Sequence, residues 1–133
     1  MRIRVEGDAG KVESWLIAKE YPHQDRWPAD WLQQQAIMVR VEDGDYVAGY
    51  IWATWHPYFP HTLSFHACFA KEYRGKWFKA LDDLYRLASY LGAEFLYGHT
   101  DNLSGRDKIM HQFLIRRLGF EDAGVGGVIK RLS

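Results

Sequence analysis

The spacing of hydrophobic residues predicts one short strand and two helices in the first third of the chain. Apolar and basic side chains alternate around residues 3–5, which is typical of a strand. Asp8 is a favourable N-cap residue, and the apolar positions that follow it share one helical face: Val12, Trp15 and Leu16. After a turn-rich stretch, a shorter helix is predicted around Trp31 and Leu32, with Pro28 near its start.

The middle of the chain has the pattern of a β-meander. Residues 36–42 and 46–56 are rich in β-branched and aromatic residues, and the intervening sequence Asp-Gly-Asp at 43–45 is a strong hairpin signal. Residues 56–61 contain two prolines and predict a loop. Apolar and more polar residues alternate over residues 63–69, and this period of two predicts a third strand.

A long amphipathic helix and a short strand are predicted next. Apolar residues recur at helical spacing over residues 76–91, and Gly92 stands where a C-cap glycine belongs. Residues 95–97 are apolar and predict a short strand. A helix that connects two strands of one sheet favours a right-handed crossover with parallel strands.

The C-terminal part predicts one more helix and one more strand. Ser104 with Asp107 three residues later resembles a capping box, Gly119 ends the helix, and residues 128–132 form the last strand. The buried stripe of this helix is predicted to consist of Met110, Phe113, Leu114 and Leu118. This order of elements predicts a mixed sheet with helices packed on it.

Length and charge exclude several classes of protein. A chain of 133 residues with 47% hydrophobic residues is expected to form a single domain over residues 1–133. The formal net charge is zero, which argues against nucleic-acid binding. The single cysteine excludes an internal disulfide and agrees with a reducing compartment, so we expect a cytoplasmic protein, in the host cytoplasm if it is viral. No apolar run is long enough to predict a membrane span.

Two segments resemble the GNAT superfamily of acyl-CoA N-acyltransferases. The sequence AKEYRGK at residues 70–76, between a predicted strand and the long helix, is similar to the family's acyl-CoA loop. The sequence RRLGFE at residues 116–121 is similar to the family's helix that ends in Gly-Phe before a strand. The resemblance covers residues 36–133. It implies an α/β (α+β) fold with a mixed, mostly antiparallel sheet flanked by helices.

The resemblance also implies a site for acetyl-CoA at the start of the long helix. Free backbone N–H groups and the helix dipole make a helix N-terminus an anion site. Matched residue by residue, Arg74, Gly75 and Lys76 correspond to the family's first basic residue, glycine and second basic residue, with free amides expected at the last two. Phe69 and Ala70 correspond to the strand end whose backbone pairs with the pantetheine arm.

Some positions depart from the family pattern. Small residues normally follow the second basic residue, and here Trp77 and Lys79 replace them. Trp77 either packs inward or blocks the site, and Lys79 either contacts phosphate or blocks it. Ile115 replaces a tyrosine that protonates the departing thiolate in many members, and isoleucine has no proton to donate. Asn102 corresponds, in a loose alignment, to a cofactor-binding asparagine after the next strand.

Three side chains near this loop are candidates for the chemistry. Amine acylation needs a base to take the ammonium proton. His66 precedes the loop on its strand and is either that base or a histidine packed beside the sheet. Glu72 is either a second base or a solvated residue at the helix start. Cys68, on the same strand face as His66, is either a nucleophile or a buried, inert cysteine.

Histidines and aromatic residues raise two further possibilities. The spacing of His56 and His61 fits no helical ligand pair, so no metal is expected at His56, His61, His66 and His99. An aromatic run either lines an acceptor groove or protein interface or forms a partly exposed sheet face. It comprises Tyr50, Trp52, Trp55, Tyr58 and Phe59.

Two functions of different class follow. The first is an acyl-CoA-dependent N-acyltransferase that moves an acetyl group from acetyl-CoA to an amine of a small molecule or a protein. The second is a non-catalytic GNAT-fold module for binding or assembly, such as an accessory or head-assembly protein of a phage. In that case the aromatic face would join copies of the chain or a partner protein. The Arg-Gly-Lys sequence at the strand–helix junction favours the first.

Overall fold

A computed structural model describes residues 1–22, 26–99, 105–124 and 126–132 of the chain. The strands in these residues are β1 (Arg2–Glu6), β2 (Ile37–Asp43), β3 (Tyr46–Trp55), β4 (Thr62–Phe69), β5 (Phe95–His99), β6 (Glu121–Gly124) and β7 (Gly127–Arg131). The helices are α1 (Ala9–Ala18), α2 (Ala29–Gln35), α3 (Leu81–Tyr90) and α4 (Gly105–Leu118), with two short 3-10 helices at Lys71–Tyr73 and Trp77–Ala80.

The strands form one sheet in the order β1-β2-β3-β4-β5-β7-β6. β1 with β2, β2 with β3, β5 with β7 and β6 with β7 are antiparallel pairs. β4 and β5 are parallel, with Thr62 opposite Phe95 and Phe65 opposite Gly98. This mixed, mostly antiparallel sheet flanked by helices confirms the predicted α/β (α+β) fold, including the parallel pair.

One compact unit comprises Met1–Thr54 and Ala67–Leu84. The Asp8 side chain accepts a hydrogen bond from the Gly10 amide at 2.9 Å and caps α1, as predicted. The apolar faces of α1 and α2 are buried together with side chains of β2 and β3, because only this face of each helix is hydrophobic. The fully covered residues of this core include Val12, Leu16, Leu32 and Trp52.

The second compact unit comprises Trp55–His66 and Tyr85–Ser133. Helix α3 ends at a left-handed glycine, Gly92 (φ 97°), and the Ala93 amide returns to the Ala88 carbonyl, which is the predicted C-cap. Helix α4 ends in the same way at Gly119 (φ 76°). The Lys130 ammonium donates to the Leu118 carbonyl at 3.0 Å and satisfies one of the open carbonyls of that helix end.

Three features differ from the sequence-based expectations. The long helix does not start at residue 76, because Trp77–Ala80 is a 3-10 helix and regular α-helix begins at Leu81. Strand β6 was missed, since its short sequence is polar and fully exposed. In the predicted stripe of α4, Leu114 is buried while Met110, Phe113 and Leu118 are half-buried, and the additional buried residue is His111.

Within the described ranges, no helix is both long enough and apolar enough to cross a membrane.

Candidate functional site

The chain leaves β4 through a sequence of tight turns. The Ala70 amide donates to the Ala48 carbonyl at 2.8 Å, and the Tyr73 amide then donates back to the Ala70 carbonyl at 2.9 Å. The Lys76 amide donates to the Tyr73 carbonyl at 2.9 Å. The expectation of a free amide at Lys76 is therefore wrong, because the turn before the 3-10 helix already uses this N–H group.

Gly75 is a glycine that the fold itself does not require. A Cβ atom at this position would meet no atom within 4 Å, and the residue's φ is outside the left-handed region. The residue is exposed. Glycine permits another molecule to approach the backbone closely, and Gly75 leaves this space open. Its neighbours Arg74 and Lys76 are both basic, so that molecule is expected to carry negative charge.

The side chains around Gly75 form a positively charged surface. Lys71, Lys76 and Lys79 are exposed and Arg74 is half-buried, whereas Glu72 is the one acidic residue in this segment of the sequence. The chain as a whole has no net charge. This local excess of cations makes the turn after β4 a suitable place for phosphate groups.

Trp77 does not project into this basic surface. Its side chain is buried and stacks on the ring of Phe69, with the ring centroids 5.7 Å apart and an interplanar angle of 19°. Of the two alternatives for Trp77, inward packing is correct. Lys79 is exposed on the same 3-10 helix. The bulky residue that departs from the family pattern therefore serves as core beneath the turn.

Tyr21 is the residue of this region that the sequence analysis did not single out. Its hydroxyl donates a hydrogen bond of 2.6 Å to the Phe69 carbonyl, at the end of β4. The Arg74 guanidinium lies over its ring, 5.9 Å from the centroid. Burial raises the pKa of the Tyr21 hydroxyl, and the nearby Arg74 guanidinium opposes that shift. Tyr21 lies in a turn, 48 residues before its partner, and no local pattern connects the two.

The turn is also tied to the hairpin between β2 and β3. The Tyr73 hydroxyl donates to an Asp43 carboxylate oxygen at 3.0 Å. This hydrogen bond raises the pKa of Tyr73, because the phenol must keep its proton to donate it. The contact links the segment with Arg74 and Gly75 to a second element of the same compact unit.

His66 belongs to the second compact unit and lies beside His99. The last residue pair of the parallel ladder is Phe65 with Gly98, so these histidines occupy the next position on each strand. His66 is half-buried and His99 is exposed. Burial lowers the pKa of His66, and the neighbouring His99 lowers it further. A lowered pKa keeps the imidazole neutral near pH 7, which is the form that can accept a proton.

The remaining candidates divide into exposed, covered and undescribed positions. Glu72 is exposed on the first 3-10 helix, and Ile115 is half-buried in α4. Cys68 is half-buried and packs against the apolar cluster of α1 and α2. This position supports the inert alternative, since core packing rather than exposure surrounds the thiol. Asn102 lies outside the described residues.

The aromatic run does not form one exposed face. Tyr50 and Trp52 are 3% and 1% exposed and belong to the core under α1 and α2, so their predicted role in a groove or exposed face is wrong. Trp55, Tyr58 and Phe59 are exposed.

His56 has a structural role in the same loop. Its Nδ1 atom accepts the amides of Tyr58 and Phe59 at 3.1 and 3.0 Å, and its ring stacks on Phe59. Among the described residues, no group of three or more His, Cys, Asp or Glu side chains is placed to hold a metal ion.

Comparisons with known proteins identify the fold. No protein-family model matches the sequence, and no curated protein matches it. Solved structures do match. Aminoglycoside 6'-acetyltransferase type Ii is 17% identical, with a TM-score of 0.70 over 100% of this chain and 98% of that one.

Two further structures agree. Ribosomal-protein-alanine N-acetyltransferase from Brucella melitensis is 19% identical, with a TM-score of 0.69 over 97% of this chain and 98% of that chain. The GNAT family N-acetyltransferase YhbS from Escherichia coli, in complex with CoA, is 16% identical, with a TM-score of 0.67 over 98% of this chain and 81% of that chain. The chain therefore has the fold of GNAT acetyltransferases, and the predicted resemblance is confirmed at the level of the fold.

Proposed function

We propose that the chain is an acyl-CoA-dependent N-acyltransferase that transfers an acetyl group from acetyl-CoA to an amine, and that residues 1–133 act as one GNAT-like domain. The observation that carries the proposal is Gly75, which is exposed, free of packing constraints and flanked by basic residues at the end of β4. A similar fold in Escherichia coli YhbS is in complex with CoA. The single cysteine supports the cytoplasm as the compartment.

The proposed cofactor site consists of backbone and basic side chains. Gly75 would allow phosphate oxygens to approach the chain closely, and Lys76 and Lys79 would supply exposed ammonium groups from the following residues. Arg74 would add a planar guanidinium that can bind two oxygens at once. By resemblance the backbone at Phe69 and Ala70 would pair with the pantetheine arm, but here the Phe69 carbonyl and both Ala70 groups are already hydrogen-bonded within the chain, to Tyr21, Ala48 and Tyr73. Asn102 would complete the set by resemblance.

The proposed catalytic group is His66. When bound, acetyl-CoA supplies a thioester that an amine can attack once the amine has lost its proton. A neutral, half-buried imidazole can accept that proton directly or through water, and burial keeps His66 neutral. Glu72 is the second candidate, but it is exposed at the start of the turn. We expect Glu72 to contribute less than His66, because solvent screens its charge.

Two observations favour a non-catalytic binding module as the second candidate function. Ile115 cannot donate a proton to a departing thiolate, and the Lys76 amide is already used within its own turn. In that alternative the exposed Trp55, Tyr58 and Phe59 would contact another copy or a partner protein, for example in a phage assembly. The two functions differ in whether the basic turn binds acetyl-CoA.

Thermal unfolding with and without acetyl-CoA tests the proposal. Ligand at about 100 times its dissociation constant stabilises the folded protein by about 2.7 kcal/mol, which is a shift of several degrees. We expect this shift in the unsubstituted protein and a smaller one in Lys76→Ala. Lys11→Ala, which removes an exposed lysine from α1, is the matched control and should retain the full shift. No shift at millimolar acetyl-CoA would reject the enzyme function.

A further inference from the structure

Tyr21 contacts two residues that are proposed to bind the cofactor, Phe69 and Arg74. Its hydroxyl hydrogen is donated to the carbonyl of Phe69, and its ring lies under the guanidinium of Arg74. The ring also stacks on Trp15, at a centroid distance of 6.2 Å and an interplanar angle of 29°. These contacts hold the phenol in one place, since the hydroxyl and the ring are each fixed by a different neighbour.

Arg74 is held by a neutral partner. Throughout the described ranges, no carboxylate forms a salt bridge with its guanidinium, although four such bridges occur elsewhere in the same unit. The guanidinium contacts the ring face of Tyr21, 5.9 Å from the centroid. An aromatic ring restrains a guanidinium without neutralising its charge. An arginine held by a carboxylate would first have to break an ion pair before it could bind a phosphate.

The hydrogen bond from the Tyr21 hydroxyl to the Phe69 carbonyl fixes the ring on which Arg74 lies. At 2.6 Å it is a short hydrogen bond, and the accepting carbonyl belongs to a buried residue at the end of a strand. The Phe69 ring in turn is stacked on Trp77 in the core beneath the turn. Tyr21 therefore holds the long Arg74 side chain in a defined position relative to the end of β4. Restraining a long side chain before binding reduces the conformational entropy that binding would cost.

We propose that Tyr21 is a positioning residue for anion binding by Arg74: it fixes the guanidinium at the end of β4 and leaves its positive charge available for a phosphate group of the cofactor. The inference rests on the proposed function, because it assumes that the basic turn binds a phosphate-containing acyl carrier. It assigns to the turn between α1 and α2 a part in cofactor affinity that acts through Arg74.

Binding measurements on Tyr21→Phe test the inference without any need for turnover. Calorimetric titration with CoA and with pantetheine, which lacks phosphate groups, separates the contribution of the phosphates. Loss of the hydroxyl removes the hydrogen bond to the Phe69 carbonyl that fixes the ring under Arg74. The Kd for CoA is therefore expected to rise by about three- to tenfold, and pantetheine binding is not expected to weaken. Tyr90→Phe removes a hydroxyl from a side chain that is 88% exposed and should leave both affinities unchanged.

Two further variants show whether the effect passes through Arg74. Arg74→Ala should weaken CoA binding at least as much as Tyr21→Phe does. The double variant should bind CoA no more weakly than Arg74→Ala alone, because Tyr21 then has no guanidinium to position. Arg74→Lys keeps the charge but loses the planar group that lies on the ring, and it should reproduce the loss even if Tyr21→Phe is poorly folded.

The outcomes distinguish this inference from the proposed function. If the unsubstituted protein binds CoA and Arg74→Ala weakens that binding while Tyr21→Phe and Arg74→Lys do not, only the positioning role is rejected. An equal loss of CoA and pantetheine binding in Tyr21→Phe would also reject it, because that pattern reports general packing. If the unsubstituted protein does not bind CoA, the proposed function fails and the inference fails with it.

Discussion

The helix pair α1–α2 and residues 67–80 belong to one compact unit but are held in different ways. The helices bury a continuous apolar face, with Val12, Leu16 and Leu32 fully covered. In residues 67–80, exposed and buried positions follow each other without a regular period, and Ala67 is exposed while Phe69 is buried. Burial of apolar surface therefore stabilises the helix pair, whereas backbone and side-chain hydrogen bonds hold much of the second segment.

Because the two regions are held differently, we expect the helix pair to determine mainly stability and the turn after β4 to determine mainly ligand binding. A change in the helix pair removes apolar contacts that hold the compact unit together, and Tyr21 links this cluster to the proposed cofactor residues Phe69 and Arg74. A change in the turn after β4 alters exposed groups that contribute little to folding. We therefore expect variants in the first region to lower the free energy of unfolding and variants in the second to alter ligand affinity.

The largest effect is expected for Leu16→Ala in α1. Leu16 is fully buried in the cluster formed by α1, α2 and the sheet, so truncation leaves a cavity. The free energy of unfolding should fall by about 3 kcal/mol, within the usual range for buried leucines. Urea unfolding followed by tryptophan fluorescence measures this loss.

The neighbouring Ile17→Ala is the matched control for that experiment. Ile17 is 52% exposed, and its truncation should cost about 0.5 kcal/mol or less. Folded Leu16→Ala should lose no more acetyl-CoA affinity than Tyr21→Phe does, because Tyr21 packs against the Leu16 cluster and also contacts Arg74. A large loss of affinity in the folded variant would show that the two regions are not energetically separate.

The helix pair was largely predictable from the sequence. Asp8 as N-cap and the spacing of Val12 and Leu16 each follow from local rules, and the core beneath them follows from the apolar face. The extent of burial on β3 was not predictable. Tyr50 and Trp52 are residue types that are common at interfaces. Only the position of the two helices shows that these side chains belong to the core.

An intermediate effect is expected for Gly49→Ala in β3, where the backbone passes close to the end of β4. A Cβ atom at Gly49 would collide with the Cys68 carbonyl oxygen and with the Phe69 ring. The carbonyl is part of the backbone and cannot move aside easily. The free energy of unfolding should fall by about 1–3 kcal/mol, which chemical denaturation measures.

Gly75→Ala is expected to affect binding and not stability, in contrast to Gly49→Ala. Its added methyl group meets open space and an ordinary φ, so stability should change by about 0.5 kcal/mol or less. Binding of acetyl-CoA should weaken several-fold, because the methyl group stands where phosphate oxygens would approach the backbone. Unchanged affinity in Gly75→Ala would remove the observation on which the proposed function depends.

The turn after β4 was predicted in outline but not in detail. The resemblance placed Arg74, Gly75 and Lys76 in a loop between β4 and the next helix, and they lie between two 3-10 helices after β4, with Arg74 half-buried and the other two exposed. Helical spacing of apolar residues from residue 76 onward could not show that the first turn is a 3-10 helix, because both helices bring residues three apart to similar positions. The contact of Tyr21 with Phe69 spans 48 residues and has no signature in either segment.

The smallest effect on stability is expected from His66, and it depends on pH. Burial and His99 lower the pKa of His66 in the folded protein below the ordinary value of 6.5. As the pH falls below 6.5, the unfolded chain binds a proton at this residue before the folded protein does. The free energy of unfolding should therefore decrease over this acidic window and level off below the folded-state pKa.

His66→Gln tests this contribution, since glutamine does not titrate. The variant should lose less stability than the unsubstituted protein when urea unfolding at pH 7.5 is compared with unfolding at pH 5. If the enzyme is active, its kcat/KM should also persist to lower pH than an ordinary histidine would allow, because the neutral base survives there. An identical acidic loss in both proteins would show that His66 is not the titrating group. The lowered pKa that supports His66 as the proposed base would then be rejected.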